Sequence, residues 1–126
     1  MINKKILGLI GLSARARKIC YGADSVEEQL KKRKVYLVIV AEDSSDRTKN
    51  KFTRLCEKYN VPIIIAGEIE EISKAIGKSN KAIIGIEEIN LSKEIQKMEF
   101  LKENKTVKKE ECKKEINNGG EAIGKN

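Results

Sequence analysis

Ile6, Leu7, Ile10 and Ala14 recur at helical spacing, which predicts a first helix over residues 3–16. Gly22 interrupts the pattern. Asp24 and Ser25 then offer side-chain oxygens as helix caps, each with a glutamate three residues on: Asp24 with Glu27, Ser25 with Glu28. This capping-box spacing predicts a second helix running into the basic cluster at residues 31–34, where cations suit the helix dipole. Residues 35–41, VYLVIVA, form a continuous apolar run rich in β-branched side chains. Such a run reads as a strand buried on both faces, in a parallel or mixed sheet with helices on either side.

Glu42 and Asp43 follow that strand, and Ser44, Ser45 and Asp46 supply caps for a helix reaching about Tyr59. Its inner face is Thr48, Phe52, Leu55, Cys56 and Tyr59. Pro62 makes residues 60–62 a turn, because it donates no backbone hydrogen bond and restricts Val61. A short strand over residues 63–66 ends at Gly67. Ile69, Ile72, Ala75 and Ile76 mark another amphipathic helix, stopped by Gly77. Residues 82–86 are again strand-like, and Leu91, Ile95 and Met98 suggest a last helix to about Lys102. Alternating helices and strands define an α/β chain, expected as a three-layer α/β/α sandwich over residues 1–102. Beyond it only Val107, Cys112, Ile116, Ala122 and Ile123 are apolar. Residues 103–126 are therefore expected to be a charged, disordered tail, with a frayed helix over 104–117 as the alternative.

Composition narrows the chemistry. The 126 residues include no histidine, which excludes histidine triads and histidine-ligated metals, and no tryptophan. Cys20, Cys56 and Cys112 are odd in number and widely spaced, against a disulfide scaffold or zinc knuckle and in keeping with a reducing cytoplasm. Apolar runs of about seven residues are far short of the ~20 that span a bilayer. The N-terminal MINKKILGLIGL has no credible cleavage site before SARARK, so a signal peptide is not expected. The formal charge is +7, and +5 of it falls within residues 1–33, on Arg15, Arg17, Lys18, Lys31, Lys32 and Arg33 among others. A localised basic patch is the footprint of a polyanion partner; a basic surface without one is the plainer alternative.

Candidate chemistry is sparse. Glu42 and Asp43 stand at a strand's C-terminal end, where α/β proteins often keep functional groups. They could hold Mg²⁺, or simply flank the next helix's positive end. Cys56, spaced with Phe52 and Tyr59, reads as core rather than as a nucleophile. Arg47, Lys51, Arg54 and Lys58 form a basic stripe on the third helix, either a solvated face or a phosphate contact.

A specific set of segments then comes together: Gly22-Ala23-Asp24-Ser25-Val26; Val35-Tyr36-Leu37-Val38-Ile39-Val40-Ala41-Glu42-Asp43; Thr48, Lys51 and Cys56; Asn60-Val61-Pro62; and Ala75-Ile76-Gly77. In this order and spacing, over roughly residues 3–90, the chain resembles the ribosomal protein L7Ae/L30e superfamily, and within it the small bacterial YlxQ-type members. The resemblance implies an α/β/α sandwich on a mixed, mostly four-stranded sheet. It also implies binding of structured RNA, typically a kink-turn, by three loops. They are the entry to the second helix (Gly22, Ala23, Asp24, Ser25), the turn at Glu42 and Asp43, and the loop Ile65, Ala66, Gly67 and Glu68, which lines an apolar pocket for an extruded base.

Gly22 would let a phosphate or base approach the backbone, and a helix N-terminus offers free N–H donors. Kink-turn binders of the family carry Asn-Glu after that glycine, then a Lys; here Asp24, Ser25 and Glu28 stand at those places. Asp24 accepts hydrogen bonds but cannot donate them as Asn does. Arg17 stands where the YlxQ-type pattern has Gly, and with Lys18 adds candidate phosphate contacts. The expected function is non-catalytic RNA binding, with ribosomal or other non-coding RNA, or the ribosome, as partner. A protein-interaction module with an eroded RNA face is the alternative, and a hydrolase using Glu42 and Asp43 is the third class. No catalytic residue, cofactor, metal, DNA specificity or membrane is expected, and the protein is expected to be a cytoplasmic monomer.

Overall fold

The computed structural model describes residues 2–103. Its elements are α1 (Lys4–Arg15), β1 (Ile19–Tyr21), α2 (Ala23–Lys31), β2 (Leu37–Val40), α3 (Asp46–Tyr59), β3 (Ile63–Ile65), α4 (Ile69–Ala75), β4 (Ile83–Ile86) and α5 (Ile89–Glu103). The chain divides into two units, Met1–Ile95 and Gln96–Asn126. The expected tail over residues 103–126 and the alternative helix over 104–117 lie outside the described residues, apart from Glu103 at the end of α5.

The four strands form one mixed sheet in the order β1-β4-β2-β3. β4 runs antiparallel to both β1 and β2, whereas β2 and β3 are parallel. Strand alternation divides the apolar residues between two layers. Cys20, Val38, Val40 and Ile83 face Val26 and Leu30 of α2 and Phe52 and Cys56 of α3 in one buried cluster. Leu37, Ile39, Ile84 and Ile86 point the other way and are fully or almost fully buried. On that side α1 and α4 pack together and bury Ile6, Ile10 and Ile72. The expected sandwich is present.

The pattern of apolar residues did not reveal β1. Its three residues, Ile-Cys-Tyr, are too few to show a period, and only pairing with β4 makes them a strand: Ile19 opposite Ile86, Cys20 opposite Gly85, Tyr21 opposite Ile84. The expected capping of the second helix is also corrected. Gly22 is the N-cap of α2, at φ 91°, and no side chain caps it. Asp24 and Ser25 sit inside the first turn, and Glu28 lies in the second, bonded to Lys32 at 3.2 Å. Leaving β1, the chain must turn sharply to enter α2, and glycine makes that turn two residues before Asp24 and three before Ser25. At α3, Ser45 caps as expected, its Oγ accepting from the Thr48 N–H at 3.1 Å.

Burial pushes the Cys20 thiol up to about 12, helped by the nearby charge of Glu87, and burial alone does the same for Cys56. Both thiols are therefore protonated and shielded at neutral pH, and Cys56 is a core residue rather than a nucleophile. In a Cys112→Ser protein, Cys20 and Cys56 should react with a thiol reagent at the rate of native-state opening, and denaturant should release both at once. Prompt labelling of the folded protein would contradict this. The sign for stability follows: with both folded-state values raised above 9.0, the contribution of these two thiols is constant below about pH 9 and declines as pH rises from there toward 12.

Candidate nucleic-acid interface

β2 and β3 end, and β4 begins, at one edge of the sheet, because Val40 pairs with both Ile83 and Ile65. β1 ends there as well, since Tyr21 pairs with Ile84. The three loops singled out in the sequence are therefore neighbours at this loop edge. Backbone hydrogen bonds stitch them together: Gly22 N–H to Ile83 O at 2.9 Å, Ala41 N–H to Ala82 O at 2.8 Å, and Glu42 N–H to Gly67 O at 2.8 Å. Ala23, Asp24, Ser25, Glu42, Asp43 and Glu68 are exposed around it. Asp43 does not serve the following helix: its Oδ1 accepts from the Ile69 N–H at 2.9 Å, at the start of α4. Glu68 caps the same helix in a reciprocal capping box with Glu71.

The third loop differs from expectation. Ala66 and Gly67 are buried, and Gly67, at φ 79°, packs so closely on Ile2 that an added Cβ would lie 3.1 Å from it. Of this loop's apolar side chains only Ile65 reaches solvent, at 40% exposure. The concavity lies beside the loop instead. A cavity of about 530 Å³ is lined by Asp43, Ile69, Glu70, Ser73, Lys74, Lys78, Ser79 and Asn80. That volume is within the ~300–1,000 Å³ of ordinary ligand sites.

The segment entering β4 was not singled out in the sequence, yet it runs between the other loops. Ser73 Oγ accepts from the Lys81 N–H at 2.7 Å and pins it. Lys78 and Lys81 stand over the Tyr21 ring at 5.4 and 5.3 Å. These two lysines bring positive charge to this edge, as does Lys74 in the cavity lining. The available signal was the Gly77-to-Lys81 stretch, GKSNK, between two apolar runs.

Arg17 and Lys18 do not join the loops. They precede β1, at its opposite end; the three residues of the strand separate Lys18 from Gly22, four steps or about 13 Å. The stripe on α3 is partly engaged within the fold: Lys51 pairs with Glu27 at 3.2 Å, and Lys58 lies over Tyr59 at 5.4 Å. Among the described residues no cluster of three or more metal-ligating side chains occurs.

An α/β/α domain with a mixed 1-4-2-3 sheet and a pinned loop edge beside a cavity defines the class. The profile of the Ribosomal protein L7Ae/L30e/S12e/Gadd45 family matches residues 4–96, and the chain belongs to that family. Among its relatives, the RNA-binding protein YlxQ of Enterococcus faecium is 32% identical over 96 residues, 76% of this chain and 92% of that protein. The protein of the same name from Bacillus subtilis is 32% identical over 78 residues, 62% of this chain and 78% of that one. Among solved structures, a protein of unknown function from Bacillus halodurans C superposes with TM-score 0.74 at 31% identity, covering 76% of this chain and 97% of that one. The Giardia lamblia 15.5kD RNA binding protein superposes with TM-score 0.67 at 26% identity, covering 80% and 93%.

Proposed function

We propose that this protein is a non-catalytic RNA-binding domain, a cytoplasmic monomer that presents its loop edge to structured, kink-turn-like RNA of ribosomal or other non-coding origin. The observation that carries the reading is the convergence of three loops, remote in sequence, on one sheet edge beside a cavity. Its support from kinship is that relatives of similar length are named RNA-binding proteins. Free N–H groups at the start of α2 suit RNA oxygens, Lys78 and Lys81 suit phosphates, and the cavity suits an unstacked base.

The test is affinity for a generic kink-turn RNA and for an unkinked duplex of equal length. Wild type should prefer the kinked RNA. Lys78→Glu with Lys81→Glu should weaken it tenfold or more, since each charge-assisted contact is worth ~1.5–3 kcal/mol. Equal affinity for both RNAs, untouched by the double substitution, would dismiss the loop edge. The exposed carboxylates Asp24, Glu42 and Glu68 would then favour a protein partner at this edge.

A further inference from the structure

The helices α1 to α4 all finish in the same hydrogen-bonded cap. In each, a residue with positive φ donates to the carbonyl three residues back, and the next residue donates to the carbonyl five back. The donor–acceptor pairs are Arg17 to Ala14 and Lys18 to Ser13; Arg33 to Leu30 and Lys34 to Gln29; Asn60 to Glu57 and Val61 to Cys56; Gly77 to Lys74 and Lys78 to Ser73. The left-handed residue has φ 61° at Arg17, 61° at Arg33, 58° at Asn60 and 72° at Gly77. Glycine and asparagine are ordinary at such a position. Arginine is not, and holding it there costs stability that glycine would retain.

Both arginines are followed by lysine, and both Arg-Lys turns open onto the same edge. One leads into β1, the other through Val35 and Tyr36 into β2, and these strands flank β4. The Glu87 N–H bonds to Lys18 O and the Tyr36 N–H to Ile86 O, each at 2.8 Å, so the end of β4 ties the two turns together. Ile19 and Leu37, the first residues of β1 and β2, both pair with Ile86 and so lie two strand spacings apart, about 10 Å. Arg17, Lys18, Arg33 and Lys34 are all exposed, and none makes an ion pair among the described residues. Nearby acids are already engaged: Glu87 accepts from Gln29 at 3.0 Å, Glu88 from the Leu91 N–H at 2.6 Å, and Glu28 pairs with Lys32. Aromatic faces complete the surface. Tyr36 is 41% exposed, and the Arg33 guanidinium lies over the Tyr59 ring at 5.7 Å.

Helix dipoles explain the cations Arg15, Lys31 and Lys58 in the last turns of α1, α2 and α3. They do not explain arginine at the strained position, because a cation one residue earlier would serve the dipole without strain. We propose that this turn edge is a second nucleic-acid site, in which the paired Arg-Lys turns grip the phosphate backbone of RNA and Tyr36 offers a face to a base. It does not depend on the loop edge reading kinked RNA. The loop edge is read by the ratio of kinked to unkinked affinity, and the turn edge by the affinity for plain duplex.

The discriminating variant is Arg17→Gly with Arg33→Gly, which removes two charges while giving each turn its least strained residue. Its melting temperature should equal or exceed that of wild type, so that loss of binding is not loss of fold. Affinity for an unkinked RNA hairpin should fall fivefold or more, and the slope of log K against log salt should become shallower by about 1.4–1.8. The kinked-to-unkinked ratio should hold. Arg17→Lys with Arg33→Lys should keep most of the affinity. Lys49→Gln with Lys93→Gln, which removes the same charge from α3 and α5, should change it less than twofold. Unchanged affinity and slope in the glycine variant would overturn the proposal, as would an equal loss in the Lys49, Lys93 control. Phosphatidylserine vesicles that lose binding in the glycine variant while RNA does not would overturn it in favour of a membrane surface.

Discussion

Gly85→Ala is expected to destabilise the protein by about 3 kcal/mol, the upper end for overpacking one methyl group into a core. Gly85 stands in the middle of β4, a strand paired on both sides, and its absent side chain would point into the cluster beneath α2 and α3. A Cβ there would lie 2.8 Å from Cys20 Sγ and 3.2 Å from both methyl groups of Val35. Neither neighbour can withdraw easily: Cys20 is paired opposite Gly85, and Val35 is buried at 3% exposure. Against a total stability of ~5–15 kcal/mol the loss is large. Cys20→Ala in the same background should restore part of it, by removing the sulfur that makes the shortest contact. The two substitutions should therefore be non-additive in urea unfolding, with a coupling on the order of 1 kcal/mol. A Gly85→Ala protein as stable as wild type would mean that β4 is packed differently.

The second large effect concerns binding. Asp24→Asn with Glu28→Lys should raise affinity for a kink-turn RNA tenfold or more, with a smaller gain for an unkinked duplex. Asp24 is exposed in the first turn of α2, beside Gly22, and an amide there regains a donor while losing a negative charge. Glu28→Lys exchanges repulsion for attraction near phosphates, worth ~1.5–3 kcal/mol for a charge-assisted contact. The cost in stability is small. Asp24 favours the helix dipole by ~0.3–1 kcal/mol, and the exposed Glu28–Lys32 pair contributes ~0.3–0.5 kcal/mol. Equal gains on both RNAs would report added charge alone. No gain on either would remove this helix start from the RNA face.

The alternation of periods gave away the layers. VYLVIVA could only be a strand covered on both sides, and residues 35–41 do supply β2. Phe52 and Cys56, spaced as an inner helix face, lie in the core, each 1% exposed. The family resemblance rested on the same local segments and agrees with the profile match over residues 4–96. These features were legible because each is encoded within a turn of helix or a few residues of strand. β1 was not, since three residues carry no period and its pairing partner lies more than sixty positions away in sequence. The start of α2 was misjudged because Asp24 and Ser25 satisfy the capping rule locally, while the turn out of β1 places the cap at Gly22.

The charge shows the difference most clearly. By itself the sequence determined the alternating elements, the covered sheet and a basic excess within residues 1–33. The tertiary structure alone decided where that excess goes. Antiparallel pairing of β1 with β4 sends Arg17 and Lys18 to one edge and Gly22 to the other, although only the three residues of β1 lie between Lys18 and Gly22. The same sheet order brings Arg33 and Lys34 to the side of Arg17 and Lys18, and Lys78 and Lys81 to the side of Gly22. Local periodicity fixes which face of an element is buried. Which ends of different elements become neighbours depends on strand order and direction, which long-range pairing selects after the elements exist.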